Sequence, residues 1–352
     1  MARADVTVRG GGIFGLSVAW ACLRRGAKVR LVEAERIGAG ASGGLVGALS
    51  PFAPGKWDEV KAFQLEALQM APGWWGEVSA LSGLATGYGR VGRLQPLPDA
   101  AAVEAARVTG EAAALRWGPA MWRLVRATGA DWEPASRSGW LVEDRLSARL
   151  HPRLAGAALV RAFEVMGGEV VMGEAADEGA VVWATGAAGL AALSADLGRE
   201  VGRGGKGQAV RLAYDAGPEA PQLYAGGLHL VAHVDGTVAV GSTSETEWSE
   251  DGPDGQAETL VARAVAAVPA LAGAAVLERW AGIRPRARSR APMLGAWPGR
   301  PGHWVANGGF KIGFGVAPLV GEVMAALVLE GRDLVPGPLR VEASLQASEL
   351  GR

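Results

Sequence analysis

Cysteine is almost missing from this chain: Cys22 stands alone among 352 residues. That excludes an intrachain disulfide framework and any metal or iron–sulfur centre built on cysteines, so no metal site is expected and a reducing, cytoplasmic setting suits the chain. Excess charge is missing as well. The 35 Lys and Arg nearly balance 36 Asp and Glu, leaving a formal −1 with no basic run, so neither nucleic acid nor an anionic membrane is expected as a partner. An export signal is not evident, because Met1-Ala2-Arg3-Ala4-Asp5 leads straight into the first apolar segment. Nor does any apolar run reach the roughly 18 uninterrupted residues of a membrane span. The most apolar late segment, "VAPLVGEVMAALVLEG", carries Glu322 in its middle and reads as a buried helix. Internal repeats and low-complexity tracts are also lacking. A small-molecule partner is what these absences leave.

What the chain does have is glycine in telling places. Val6 and Val8 read as a short strand, Phe14 to Arg25 as a helix stopped by Gly26, and "KVRLVE" (Lys28 to Glu33) as a second strand, together the size of one βαβ unit. The turn between them holds Gly10, Gly12 and Gly15 in a G-x-G-x-x-G pattern: the first allows a sharp turn, the second lets backbone N–H groups approach a pyrophosphate, and the third lets helix and strand pack closely. Glu33, at the end of the second strand, is suited to accept hydrogen bonds from adenosine ribose hydroxyls. Dinucleotide binding is therefore expected. Arg9 is out of place at the strand end, and either that end is exposed or the guanidinium has a partner.

Further glycine-rich segments follow. "AERIGAGASGGLVGALSP" (Ala34 to Pro51) suggests a loop lying along a long cofactor, and "GAVVWATGAAG" (Gly179 to Gly189) a strand delivering Thr185 and Gly186 to a second turn against the same ligand. Between them "GGEVVMGEA" gives a strand around Val170 whose main chain can read an adenine edge. Helical, Trp-containing segments are expected over 58–128, the alanine-rich part as a helix pair. "QAVRLAY", "GLHLVAHV" and "TVAVGSTSE" read as strands, the last two joined by a hairpin at Asp235-Gly236. Two domains are expected, since single cores stop growing at about 250 to 300 residues.

These motifs, with "WAGIRPRARSRAPMLG" and "NGGFKIGFGVAPLVGE" near the C-terminus, make the sequence resemble the FAD-dependent amino-acid oxidases, specifically the glycine oxidase and D-amino-acid oxidase family. The resemblance covers most of the chain. It implies an α/β fold in which a Rossmann-like FAD-binding domain (1–50, 139–205 and 280–352) carries an inserted α+β substrate domain (51–138 and 206–279) on a largely antiparallel sheet over the flavin face. It also implies FAD contacts by Gly10, Gly12, Ile13, Phe14, Gly15, Glu33, Ala34, Ser42, Gly47, Ala48, Leu49, Val170, Thr185, Gly186, Ile312, Gly313, Phe314 and Gly315. Lys311 to Gly315 would wrap the pyrimidine edge of the flavin, and a helix starting near Val316 or Ala317, with Pro318 in its first turn, would point its positive end there. Cys22 lies on the first helix, far from the ring, so FAD is expected to be held non-covalently.

The implied activity is oxidation of the C–N bond of a small amino acid of glycine, sarcosine or D-amino-acid type, by hydride transfer to flavin N5 and with oxygen or another acceptor taking the electrons. Arg284 matches the family arginine that grips the substrate carboxylate, while Arg286, Arg288 and Arg290 read as a solvated strand edge. Lys311 matches a second basic helper, or else offsets flavin charge. His229 stands where glycine oxidases have a tyrosine; it either hydrogen-bonds substrate or is structural. "SPFAPGKWDE" replaces the arginine-containing segment by which sarcosine oxidases hold substrate. Three other readings remain: an amine or imino-acid dehydrogenase using a non-oxygen acceptor; a flavin-binding subunit of a larger complex, for which Trp74-Trp75 could supply a surface although paired aromatics are more often core; and a nicotinamide dehydrogenase, which leaves "GAGASGG" and "ATG" unexplained. Homo-oligomerisation is left open.

Overall fold

The expected N-terminal unit is present, with β1 (Val6–Arg9), α1 (Ile13–Arg24) and β2 (Val29–Glu33) in succession. The computed structural model describes residues 3–347; residues 1–2 and 348–352, the two ends of the expected FAD domain, lie outside the described residues. After β2 the chain runs through β3 (Ala48–Leu49), α2 (Glu59–Ser82), β4 (Arg93–Pro96), α3 (Ala100–Arg116), β5 (Trp122–Arg126), β6 (Trp140–Asp144), β7 (Ala148–Arg149) and α4 (Pro152–Val165). There follow β8 (Glu169–Met172), β9 (Ala180–Trp183), α5 (Gly186–Asp196), β10 (Gly202–Leu212), β11 (Gln222–Ala225), β12 (Leu228–Ala232), β13 (Val238–Gly241) and α6 (Gln256–Ala267). Last come β14 (Val276–Ala287), β15 (Met293–Ala296), β16 (His303–Asn307), α7 (Gly313–Glu330) and α8 (Val341–Gln346).

Two large sheets organise these elements. One has six strands in the order β15-β16-β9-β1-β2-β8, parallel except for β15 at its edge. The other has eight, β14-β10-β13-β12-β11-β4-β6-β5, antiparallel except for the β11–β4 pair. This is the expected α/β architecture, a Rossmann-like layer joined to a largely antiparallel one. The hairpin at Asp235-Gly236 forms as well, with Gly236 at φ +76° and His233 N–H donating to the Thr237 carbonyl.

The structure differs from the expected boundaries in two places and from the expected elements in one. β6 belongs to the antiparallel sheet although it lies in the segment assigned to the FAD domain, and β4 and β5 are strands inside the stretch read as helical. Helix α2, assigned to the substrate domain, buries Phe63, Leu68, Trp74, Trp75 and Val78 in one core with α1 and α7. Trp74 and Trp75 thus meet edge to face inside that core, their centroids 4.6 Å apart, and form no outer patch. The alanine-rich stretch is one helix, not two: Gly110 does not break it but leaves room for the Trp122 ring.

Helix α7 is the one helix among the described residues long and apolar enough to cross a membrane, and most of it is buried. It crosses α1 so closely that Gly321 lies over the Ser17 backbone, where a side chain would overlap. Its one charged interior residue, Glu322, is paired with Arg24 at 3.2 Å and Arg25 at 2.7 Å. The out-of-place Arg9 also has partners: Asp177 at 2.6 Å, the Ala175 carbonyl at 2.7 Å and the face of Trp183.

Candidate functional site

The carboxyl ends of the parallel strands converge on one edge, where ligands bind in sheets of this kind. Strand β1 ends at Gly10, whose φ of +105° and close approach to the Ala184 carbonyl leave no room for a side chain. A Cβ on Gly15 would overlap the Gly10 carbonyl, so the third glycine does bring helix and strand together. Ser42 Oγ accepts from Ile13 N–H at 2.9 Å, tying the 38–44 loop to the first turn of α1. Glu33, almost fully buried at the end of β2, accepts from Gly11 N–H at 2.6 Å and Glu35 N–H at 2.9 Å. A carboxylate has about four lone-pair positions, so two remain for a ligand hydroxyl.

Beside this turn lies a cleft of about 440 Å³ lined by Gly11, Ile13, Arg36, Ser42, Gly43, Phe314 and one face of α4. Backbone N–H groups at a helix start with no acidic residue in its first turn, together with Arg36, make its donor set suit a pyrophosphate. Ala34 is exposed just past β2, and Val170 is opposite Leu31 on the sheet's outer strand. Thr185 and Gly186 begin α5, the latter at φ +59°. Asn307, which sequence reasoning missed, donates from Nδ2 to the Gly186 carbonyl at 2.9 Å and accepts from Gly308 N–H at 2.8 Å. It fastens two glycine turns to each other.

The loop 43–49 then runs between the two sheets. Leu45 and Val46 pack on Ala209, Ala239 and Trp280 of the antiparallel sheet, and the Leu45 carbonyl is 2.9 Å from His233 Nε2. Gly47, Ala48 and Leu49 pair with 148–150, where a Cβ at position 47 would overlap the Leu150 carbonyl. Facing this loop, Gly309 to Ile312 form the turn into α7. The helix begins at Gly313, earlier than expected, so Pro318 sits inside it and not in its first turn. Ile312, Gly313, Phe314 and Gly315 thus occupy its start, and Phe314 reaches the cleft. Lys311 stands at the exposed rim, its pKa lowered by loss of solvent and then by the nearby charges of Arg284 and Arg286.

Arg284 takes an unusual path on the antiparallel sheet. It lies opposite Gly205 on β10, and its guanidinium crosses above Gly207, where any Cβ would overlap it, to donate to the Thr243 carbonyl at 3.2 Å. That acceptor is braced from behind. Thr243 and Gln208 exchange hydrogen bonds, Glu245 accepts from Thr243 Oγ1 at 2.5 Å, and buried Lys206 lies 2.8 Å from Asp254 and 3.7 Å from Glu245. Burial lowers the Arg284 pKa to about 10, opposed by the charge of Glu245, so it remains a cation at neutral pH.

Along the same sheet face the register brings Gly241, His229 and Tyr224 into one row; Arg93, over the Tyr224 ring, pairs with Asp144 at 2.8 Å. The His229 ring lies 4.8 Å from that of Tyr224 and its Nδ1 is buried without a partner. Burial, with Arg93 and Lys311 nearby, lowers its pKa to about 4 and keeps it neutral. Arg284, Lys311 and His229 therefore do share one neighbourhood. Two other readings change: Arg286 packs over Phe310 instead of lying in a solvated edge, and half-buried Arg288 donates to the Glu200 carbonyl. Arg290 alone of the three is exposed. Gly207 and Thr243 went unnoticed because their part depends on a guanidinium crossing a neighbouring strand, for which "KGQ" carries no local signal.

Comparison with known proteins agrees with this fold. The family model described as FAD dependent oxidoreductase matches residues 5–327. The putative thiamine biosynthesis oxidoreductase ThiO of Rhizobium etli is 31% identical over 92% of this chain and 97% of that protein. Other curated relatives are matched over less of their own length: glycine oxidase of Pseudomonas putida is 33% identical over 35% of this chain and 34% of that protein. For the bifunctional protein ThiO/ThiG of Nostoc sp., 26% identical, the chain spans about half the relative, 93% of this chain against 53% of that protein. The crystal structure of glycine oxidase from Geobacillus kaustophilus superposes with a TM-score of 0.83 at 21% identity, covering 97% of this chain and 99% of that one, which shows the shared fold. The resemblance noted in the motifs is thus borne out across the chain, which belongs to the FAD dependent oxidoreductase family and uses FAD.

Proposed function

We propose that this enzyme oxidises the C–N bond of a small amino acid, with Arg284 holding the substrate carboxylate against the flavin. The observation carrying this reading is that a buried guanidinium has one backbone carbonyl as its hydrogen-bond partner and, among the described residues, no ion pair. A buried cation lacking a carboxylate is costly unless a ligand supplies one, and a planar fork of N–H donors matches a carboxylate in two parallel bonds. The name of one relative, glycine oxidase, agrees with such a substrate.

The residues around the parallel-strand edge would hold FAD: Gly10, Gly12, Ile13, Phe14, Gly15 and Ser42 at the pyrophosphate, Glu33, Ala34 and Val170 at the adenosine, and Thr185 and Gly186 across from them. Gly47, Ala48 and Leu49 would line the ring, with Ile312, Gly313, Phe314 and Gly315 at its pyrimidine edge. When bound, FAD would supply the two-electron acceptor for the hydride of the substrate Cα–H, leaving an imino acid for water to hydrolyse. The chain's own contribution is orientation, charge and exclusion of water. Arg284 fixes the carboxylate and hence the direction of the Cα–H bond. Lys311, beside the start of α7, would favour negative charge on a flavin held there. His229, neutral and with a free ring nitrogen, offers a hydrogen bond to substrate amine or carboxylate.

Anaerobic mixing of the FAD-loaded protein with glycine, sarcosine, D-alanine and D-proline tests this reading through bleaching of the flavin band. Arg284→Ala should weaken substrate binding about 10- to 150-fold, the equivalent of a charge-assisted hydrogen bond of about 1.5–3 kcal/mol. Unchanged binding in that variant would remove the clamp. Peroxide release on adding oxygen separates an oxidase from a dehydrogenase with another acceptor.

A further inference from the structure

We propose that the substrate is a small amino dicarboxylate, whose second carboxylate is received by Arg286. The proposal rests on the amino-acid reading above and adds the substrate class. Arg284, Arg286 and Lys311 form a cluster of three cations with no ion pair among the described residues, and the Arg286 guanidinium has no hydrogen bond to them either. The contrast with their neighbours is sharp: Arg279 on the same strand pairs with Glu258 at 2.8 Å, and Arg93 on the same face pairs with Asp144 at 2.8 Å.

The geometry groups the three. Arg284 and Arg286 are two residues apart on β14 and so project from one face, about 7 Å apart at the backbone. Below them β10 presents the bare backbone of Gly205 and Gly207. Arg286 and Lys311 lie over the same ring, 5.5 and 5.6 Å from the Phe310 centroid. Phe310 is held at φ +40°, a conformation a bulky residue rarely adopts, by its N–H donating to the Pro285 carbonyl at 3.0 Å. Such a backbone persists only where its surroundings dictate it; here it sets Lys311 beside the two arginines. The lowering of Lys311 by both arginine charges is consistent with that closeness. One carboxylate on Arg284 and the negative charge gained by a reduced flavin near Lys311 answer two of the cations. Arg286 is left for a third anion, which a substrate with a second carboxylate would supply.

The test compares wild type with Arg286→Gln, each first checked for retained FAD. Malonate and acetate serve as unreactive probes that perturb the flavin spectrum; iminodiacetate, D-aspartate and L-aspartate are compared with glycine, sarcosine and D-alanine in anaerobic reduction. In wild type, malonate should bind about tenfold or more tightly than acetate, the scale of one charge-assisted hydrogen bond, and at least one dicarboxylate should bleach flavin at lower concentration than any monocarboxylate. Arg286→Gln should collapse both differences. If glycine or sarcosine bleaches flavin while malonate binds no better than acetate, the second-anion site is refuted and the amino-acid reading stands. If malonate binds tightly but equally well to Arg286→Gln, the assignment to Arg286 is overturned. If no amino acid of either kind reduces the flavin, the underlying reading itself falls.

Discussion

Replacing Gly207 by alanine isolates the placement of Arg284 without touching Arg284. A methyl group at position 207 would sit closer than 3.0 Å to Nη1, Cζ and Nη2 of the guanidinium, a separation that real Cβ atoms essentially never show. The backbone there is an ordinary β10 residue, not one of those with positive φ, so alanine is conformationally acceptable and the displaced group is the arginine head. Pushed off Gly207, the guanidinium loses the Thr243 carbonyl at 3.2 Å that fixes its direction. If orienting the fork is worth the charge-assisted bond it makes, substrate affinity should fall by about 1.5–3 kcal/mol, or 10- to 150-fold. Anaerobic titration gives the substrate Kd, and a thermal melt and the FAD content show whether the fold and cofactor are kept. The two changes should also fail to add: Gly207→Ala in an Arg284→Ala background should weaken binding no further, because both act through one interaction. A folded, FAD-loaded Gly207→Ala protein with wild-type Kd would refute the crossing as the source of the clamp's geometry.

Other expectations can be checked with less. Gly15→Ala should overlap the Gly10 carbonyl and cost about 1–3 kcal/mol of stability, read as a lower melting temperature together with lost FAD; a stable, fully loaded variant would contradict the packing described. Cys22 is fully buried, and burial raises its pKa to about 12, so a thiol reagent should label no cysteine in the native protein and one after denaturation. Native labelling would mean that α1 is not seated as described. Acid stability follows from the histidines. Burial lowers His229 and His233 from 6.5 to about 4 in the folded protein, so below about pH 6.5 the unfolded chain binds protons that the folded one does not. Stability should therefore be complete above that pH and fall as pH drops toward 4, by up to about 3 kcal/mol per histidine. Denaturant melts across this range should show the decline, and His233→Asn should reduce it; a flat profile would place both rings in contact with water.

Much of the fold was open to reading because its signals are local. Gly10, Gly12 and Gly15 each meet a steric demand made within a few residues or by an adjoining strand, and Val6, Val8 and the 28–33 segment alternate with a helix at the right distance. The Asp235-Gly236 hairpin needed only its own two residues. What escaped was set by distant partners. Strands β4 and β5 are short and half exposed, with no clear alternation, and become strands because β11 and β6 offer edges to pair with. Helix α2 looks like part of an insertion in sequence, yet its tryptophans are drawn into the core of α1 and α7. The site divides in the same way. Arg284 and Lys311 stood out through their motifs, whereas the part of Arg286 depends on Phe310, which the Pro285 carbonyl holds from another element. The arginines that alternate in this sequence look alike until the surroundings of each are known: Arg284 has a carbonyl reached across a glycine, Arg286 has an aromatic face, and Arg290 stands exposed in the turn beyond the strand. Where charge is left without a counter-charge in a molecule that otherwise pairs so many of its arginines, the missing partner is best sought among the ligands.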